Sequence, residues 1–288
     1  MADYVICTDS ACDIKREMLD AWGVRSISLT FRFTDEDKTY YNDEVDVNEF
    51  YARMRAGGVA KTAAINSAEF SAMFEPILAE GLDVLYLGFS SGLSTTFNSA
   101  RIAAEDLSEK YPGRRIVIVD TLAASAGQGL LVRLVVDKKN SGADIDAASE
   151  YAKTMVPKIC HWFTVDDLVY LQRGGRISSA AAFFGNALGI KPVLHVDDEG
   201  HLINVMKVRG RRNAVNTLVE KYQELADDRE GGLIYISHAD SMNDVQILVN
   251  AFKEKFGATV DVITDVGPVI GAHSGPGTLA LFFVGKAK

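Results

Sequence analysis

The densest run of side chains able to hold a ligand is Gly88-Phe89-Ser90-Ser91-Gly92-Leu93-Ser94-Thr95-Thr96-Phe97-Asn98-Ser99-Ala100. Its chemistry is that of an anion cradle. Unpaired N–H groups at a helix start attract negative charge. Glycines let a ligand approach the backbone, and hydroxyls add neutral donors. A turn followed by an ordinary Ser or Thr cap is the plainer reading. Four hydroxyl residues between Ser90 and Thr95 exceed what one cap needs, so the run is read as a site for a carboxylate or phosphate. It lacks the lysine that completes a Walker-type nucleotide loop.

A second dense loop is Gly271-Ala272-His273-Ser274-Gly275-Pro276-Gly277-Thr278. Three glycines and a proline mark a tight connection. A turn does not explain His273 at its centre, whose ring can donate to a carboxylate as a neutral group or as a cation. Thr62 precedes Ala63-Ala64-Ile65-Asn66-Ser67. Alone it reads as the end of a loop, with Ser67 capping the next helix. Arg173-Gly174-Gly175-Arg176 and Lys207-Val208-Arg209-Gly210-Arg211-Arg212 are basic clusters in an acidic chain. They suit either a solvated surface or the docking of an acidic partner or phosphate. His238-Ala239-Asp240 is no catalytic pair, since neighbours at a strand end diverge and no G-x-S-x-G elbow is present. Asp240 is read as the cap of the following helix.

The elements that must position these residues alternate. Strand patterns at 4–8, 25–33, 84–87 and 116–119 are interleaved with helical patterns that begin at 50–54 and cover 94–110, 125–139 and 145–158. Such alternation predicts an α/β domain with a parallel sheet, whose ligands sit outside the carboxyl ends of the strands. Asp9-Ser10, the Ser90 loop and Asp120-Thr121 all fall at such ends. Beyond 158 the pattern changes to a hairpin (194–196 with 201–208), helices at 212–225 and 244–256, and strands at 233–237, 259–263 and 279–284. The expected architecture is an N-terminal, Rossmann-like parallel-sheet domain over 1–158. A smaller C-terminal α+β domain over 159–288 follows, with the ligand site between the two.

Composition narrows the function. The 288 residues carry a net charge of −9, against broad binding to nucleic acid or an anionic membrane. The nearly apolar run 180–190 is too short to span a bilayer. No basic, apolar leader is visible, so a cytoplasmic protein is expected. Three cysteines without a C-x-x-C pair and five histidines without metal-ligand spacing indicate neither a disulfide framework nor a metal site. No cofactor motif is found.

Taken in order, the motifs resemble those of the DegV family of fatty-acid-binding proteins almost end to end. They are Thr8-Asp9-Ser10 through Asp13, the Gly92 to Ala100 loop and helix, Asp120-Thr121 with Gly127-Gln128-Gly129, and Tyr170-Leu171-Gln172-Arg173-Gly174-Gly175-Arg176-Ile177-Ser178. Lys191-Pro192, Lys207-Val208-Arg209, His238-Ala239-Asp240 and Gly271 to Gly277 complete the set. The resemblance implies two domains with a long-chain fatty acid held between them. Its carboxylate would meet Thr62, Ser94 with its neighbour Thr95, and His273. It further implies that bound fatty acid is presented to a separate ATP-dependent fatty acid kinase for phospholipid synthesis, with Arg176 and Arg209 at the docking positions. Ala63-Ala64-Ile65 departs from the Ser/Thr-Gln-Pro pattern usual after the threonine. The stretch Ala180-Ala181-Ala182-Phe183-Phe184, with Leu188 and Ile190, is a candidate wall for the acyl chain or an ordinary core helix. The competing readings are an acyl-ester hydrolase using Ser94 with His273, and a module for a small anion or nucleotide.

Overall fold

A computed structural model describes residues 4–178 and 189–288. The first strands, β1 (Tyr4–Asp9), β2 (Val24–Ile27), β3 (Thr30–Phe33), β4 (Tyr40–Tyr41), β5 (Ala60–Ala63), β6 (Asp83–Gly88) and β7 (Ile116–Asp120), divide between two sheets. One is a four-stranded parallel sheet in the order β2-β1-β6-β7. The run Val84-Leu85-Tyr86-Leu87 in β6 is wholly buried, as a strand covered on both faces requires. The other is a small antiparallel sheet, β4-β3-β5.

The alternation over 25–33 therefore does not form one strand, as expected, but two strands in different sheets. The break falls at Leu29. Its N–H donates to Ser10 Oγ at 2.9 Å and its carbonyl accepts from the Asn42 N–H at 3.0 Å. Both backbone groups are thus satisfied outside a ladder, and the chain can leave the first sheet.

The remaining strands are β8 (Ile159–Thr164), β9 (Ile190–Val196), β10 (Leu202–Arg209), β11 (Ile234–His238), β12 (Val262–Asp265) and β13 (Leu279–Val284). They form one mixed six-stranded sheet, β10-β9-β8-β13-β11-β12. The shorter C-terminal stretch thus carries the wider sheet. Side chains alternate between its faces. Cys160, Trp162, Leu281 and Phe283 face one core beneath the helices Arg211–Leu225 and Met242–Phe256. Phe163, Tyr235, Ala280 and Phe282 face another.

That second core is shared. The helix Ala126–Asn140 is buried from Ala126 through Val132 and again at Val135 and Val136. It lies between the two large sheets, and its cluster joins Ile6 and Leu85 of the first to Phe163 and Phe282 of the second. Close approach depends on missing side chains. A Cβ on Gly127 would stand 2.3 Å from His161 Nε2, and one on Gly129 would stand 2.3 Å from the Ile14 side chain.

The helix Val47–Arg55, packed on the small sheet, is tied to the C-terminal half by Tyr51, which is 1% exposed and donates its hydroxyl to the Val266 carbonyl at 2.6 Å. Removing one buried hydrogen bond costs about 1 kcal/mol. Tyr51→Phe should therefore lower the unfolding free energy by that amount, moving the urea midpoint down with an unchanged denaturant slope. An unchanged midpoint would show that the tie contributes nothing.

Candidate functional site

Three strand ends build the platform. Buried Asp9, at the end of β1, accepts from Tyr86 Oη at 2.6 Å, the Phe89 N–H at 2.9 Å and the Ala11 N–H at 3.0 Å. Thr121 Oγ1 donates to the Gly88 carbonyl at 2.7 Å, and the Ser91 N–H reaches Asp120 Oδ1 at 3.3 Å. The three ends expected to converge do so, as supports for the Ser90 loop. Ser90 is fully buried and donates to the Gly200 carbonyl at 2.9 Å. The loop is thereby latched to the turn between β9 and β10.

Beside this platform lies a cavity of about 450 Å³. Leu29, Thr62, Phe89, Ser94 and Thr95 border it from the N-terminal half, and Phe163, Leu171, Arg176, His273, Ala280 and Phe282 from the other. Its walls are mainly apolar, and Thr62, Ser94, Thr95, Arg176 and His273 are among the polar residues that line it. Ser94 Oγ accepts from the Thr96 N–H at 3.2 Å and lies 2.9 Å from Thr96 Oγ1. The helix starts at Thr96 rather than Ser94, with exposed Thr95 at its cap position making no side-chain cap bond.

Thr62 stands on β5, not at a loop end, and Asn66 rather than Ser67 caps the following helix, in a reciprocal pair with Glu69. Thr62 Oγ1 is 2.8 Å from His273 Nε2. His273 lies in the last turn of a short helix, Pro268–Ser274, where a turn was expected. Pro268 suits the first position of that helix and Gly275 terminates it with a φ of 81°. Burial, reinforced by the positive charge of Arg176, pushes the His273 pKa down to about 4. The ring is therefore neutral near pH 7, with one donor and one acceptor. With the proton on Nε2 it donates to Thr62, leaving the Thr62 hydroxyl free to donate to an anion. Nδ1 then lies against Gly174, where a Cβ would stand 2.1 Å away.

Arg176, expected at a docking position, is half-buried. Its Nε and Nη2 donate to the Leu93 carbonyl at 3.2 and 3.0 Å, its Nη1 bonds the Gly174 carbonyl, and it borders the cavity. The guanidinium straps the Ser94 loop to the Gly174 turn. Arg209, in contrast, is exposed at the end of β10. Asp240 does not cap a helix. It has a φ of 51° and pairs with Arg55 at 2.8 Å. Ala63 and Ala64 border the cavity and Ile65 is buried in the core. Of the proposed acyl wall, Ile190 opens β9, whereas 180–184 and Leu188 lie outside the described residues.

Sequence reasoning missed three polar wall residues, Ser125, His161 and Ser237. The alternation of Cys160, Trp162 and Thr164 against His161 and Phe163 was the available signal. It indicates a strand with His161 on the same face as Phe163.

The set can hold a carboxylate with an apolar tail. A helix start, two hydroxyls, a neutral imidazole and one cation surround the polar part, and hydrocarbon walls continue from it. Ester hydrolysis is less well served, because the bonded partner of Ser94 Oγ is Thr96 and that of His273 Nε2 is Thr62.

A family model described as an uncharacterised protein of the DegV family matches residues 3–286. A DegV domain-containing protein of Clostridium perfringens is 40% identical over all of this chain and 99% of its own. A DegV family protein from Thermus thermophilus, described for its fatty-acid binding, is similar with a TM-score of 0.88 and 28% identity, over 98% of this chain and 99% of that one. A Thermotoga maritima protein whose structure revealed a fatty-acid-binding function gives a TM-score of 0.84 and 29% identity, over 99% and 100%.

The histidine's depressed pKa has a signed consequence. An unfolded imidazole titrates near about 6.5 and folded His273 near about 4. Between these values the unfolded chain binds a proton that the folded chain refuses. The contribution is thus complete above pH ~6.5 and is lost as the pH falls toward ~4. Buried Asp13, held up at about 7, acts in the opposite direction, so the test is a difference between proteins. Wild type should lose more stability than His273→Gln between about pH 7 and 4. Equal losses, measured by denaturant unfolding at each pH, would contradict the buried neutral ring.

Proposed function

The chain belongs to the DegV family, and on that premise we propose that it binds a long-chain fatty acid in the cavity between its N- and C-terminal halves. It then presents the carboxylate to a separate ATP-dependent fatty acid kinase in the cytoplasm. The observation that carries this reading is the Thr62–His273 pair, which lines the same mainly apolar cavity as Ser94 at its helix start. Fatty-acid binding by the Thermus and Thermotoga proteins supports it. The kinase step extends the resemblance carried by the motifs. We keep the boundary between the halves near residue 158.

The division of labour follows from magnitudes. Each buried methylene gives about 0.8 kcal/mol, so the chain of a long fatty acid supplies most of the affinity. Hydrogen bonds to the carboxylate, worth roughly 1.5–3 kcal/mol each, are largely offset by desolvation. They set which end of the ligand reaches the polar groups. A carboxylate is ionised near pH 7, so its oxygen attacks a phosphoryl donor without a general base. Neutral donors hold it without quenching that oxygen as a fixed bidentate arginine would. In this assignment Arg176 stabilises the head group and its loop, and Arg209 remains for the partner.

Mass spectrometry of denatured, extracted protein should recover fatty acid in near-stoichiometric amount. A lipid-free extract, together with no binding of added oleate or palmitate, would remove the reading. Thr62→Ala, Ser94→Ala and His273→Ala should each weaken binding or kinase-coupled turnover by roughly ten- to a hundredfold. If all three leave both unchanged, the head-group site is wrong. Arg209→Ala should retain lipid affinity and lose acyl-phosphate formation when the kinase is added. A parallel loss of lipid affinity would count against a docking role.

A further inference from the structure

Exposure tells the mouth of the cavity from its interior. Ala63, Ala64, Ser91 and Thr95 border it and are exposed, whereas Ser125, Phe163, Ser237 and Phe282 border it and are buried. The mouth thus lies between β5 and the Ser90 loop, next to Thr62 and Ser94. The interior lies against the second large sheet, which gives it a floor of uneven height. Phe163, Ala280 and Ser237 form one cross-strand row over three adjacent strands. Along β13, Ala280 and Phe282 point to the same face. Ala280 borders the cavity, is 6% exposed, and puts a methyl group between two phenyl rings and a serine. The start of the central helix closes the space around that methyl. Ser125 Oγ stands 2.9 Å from Ser237 Oγ, which shuts the side toward β11. The backbone of Gly127 lies on the Phe282 ring, where a Cβ would stand 2.7 Å from Cδ1. Phe282 is held from beside as well, since His161 meets it edge to face at 5.3 Å.

Resting on the reading of this cavity as a fatty-acid site, we propose that the hollow over Ala280 receives the far end of the acyl chain, so that the size of residue 280 sets the longest chain accepted. The carboxylate is anchored at the mouth, so a chain that is too long cannot slide outward without losing its polar contacts. The floor cannot yield either, because close-packed rings flank the methyl. Each methylene that finds room adds about fourfold to the affinity, and each that does not is left unburied.

Displacement binding with laurate, myristate, palmitate, stearate and arachidate tests this. Wild-type affinity should rise with chain length to an optimum. Ala280→Leu should move the optimum to the next shorter acid. It should weaken binding of the wild-type optimum about fifteenfold, the equivalent of two methylenes, and spare the shorter acids. An unchanged profile overturns the inference alone, as does an equal loss at every length, which marks a packing defect. Ala280→Gly removes a methyl instead of adding bulk, and so tests the inference even where the leucine variant fails to fold. It should raise affinity for the acid next above the optimum, relative to the optimum itself, severalfold. An unchanged ratio overturns the proposal. Binding of none of these acids by wild type overturns the fatty-acid reading as well.

Discussion

The cavity exists because Asp13 clasps the two halves of the molecule together. Its carboxylate accepts from Ser125 Oγ on one side and from the Gly267 N–H at 3.0 Å on the other, while its carbonyl accepts from Thr264 Oγ1 at 2.7 Å. A single residue, four positions beyond the end of β1, therefore holds the start of the central helix and the segment following β12. Burial pushes this carboxyl up to about 7. The clasp also carries backbone strain. Ser125 has a φ of 54° and a ψ of −149°, a region suited to glycine that costs about 1–3 kcal/mol in another residue. Such a conformation persists only where its surroundings over-determine it. Here those surroundings are Asp13, Ser237 and the Ala11 carbonyl, which accepts from the Ser125 N–H at 2.8 Å.

From that spacing the site follows in steps. The central helix is buried on nearly all sides, so each large sheet packs on it from one side and the distance between them is that of a single helix. The cavity opens near the start of this helix, where Ala124 and Ser125 face Phe163 and Phe282 of the second sheet. The small sheet brings Thr62 in from the side, and the helix Pro268–Ser274 brings His273 to meet it. Four separate pieces of chain, carrying Thr62, Ser94, Arg176 and His273, thus meet at the cavity, and none of them is close to another in sequence.

Much of this was legible beforehand, and the exceptions have physical causes. Hydroxyl density marked Ser94, and glycine and proline around His273 marked a special segment. The strand ends at Asp9 and Asp120 announced where they would converge. The short helix carrying His273 was hidden because its glycines and its brevity resemble a turn. The split at Leu29 was hidden because side-chain alternation reports faces and says nothing about which sheet a strand joins. The bonds of Arg176 were hidden because charge in a sequence reads as exposure, whereas its guanidinium also meets two backbone carbonyls. The pairing of Thr62 with His273 spans most of the chain and leaves no trace in local spacing.

The close packing at Gly174 can be put in terms of information. Its α-carbon occupies ground where any larger residue would collide with the His273 ring. Gly127 does the same for the imidazole of His161. Both histidines are therefore specified twice, once by the letter that provides the ring and again by a distant letter that withholds a side chain. A redesign of this pocket that kept every polar residue and freely varied the glycines would erase the site while appearing to preserve it.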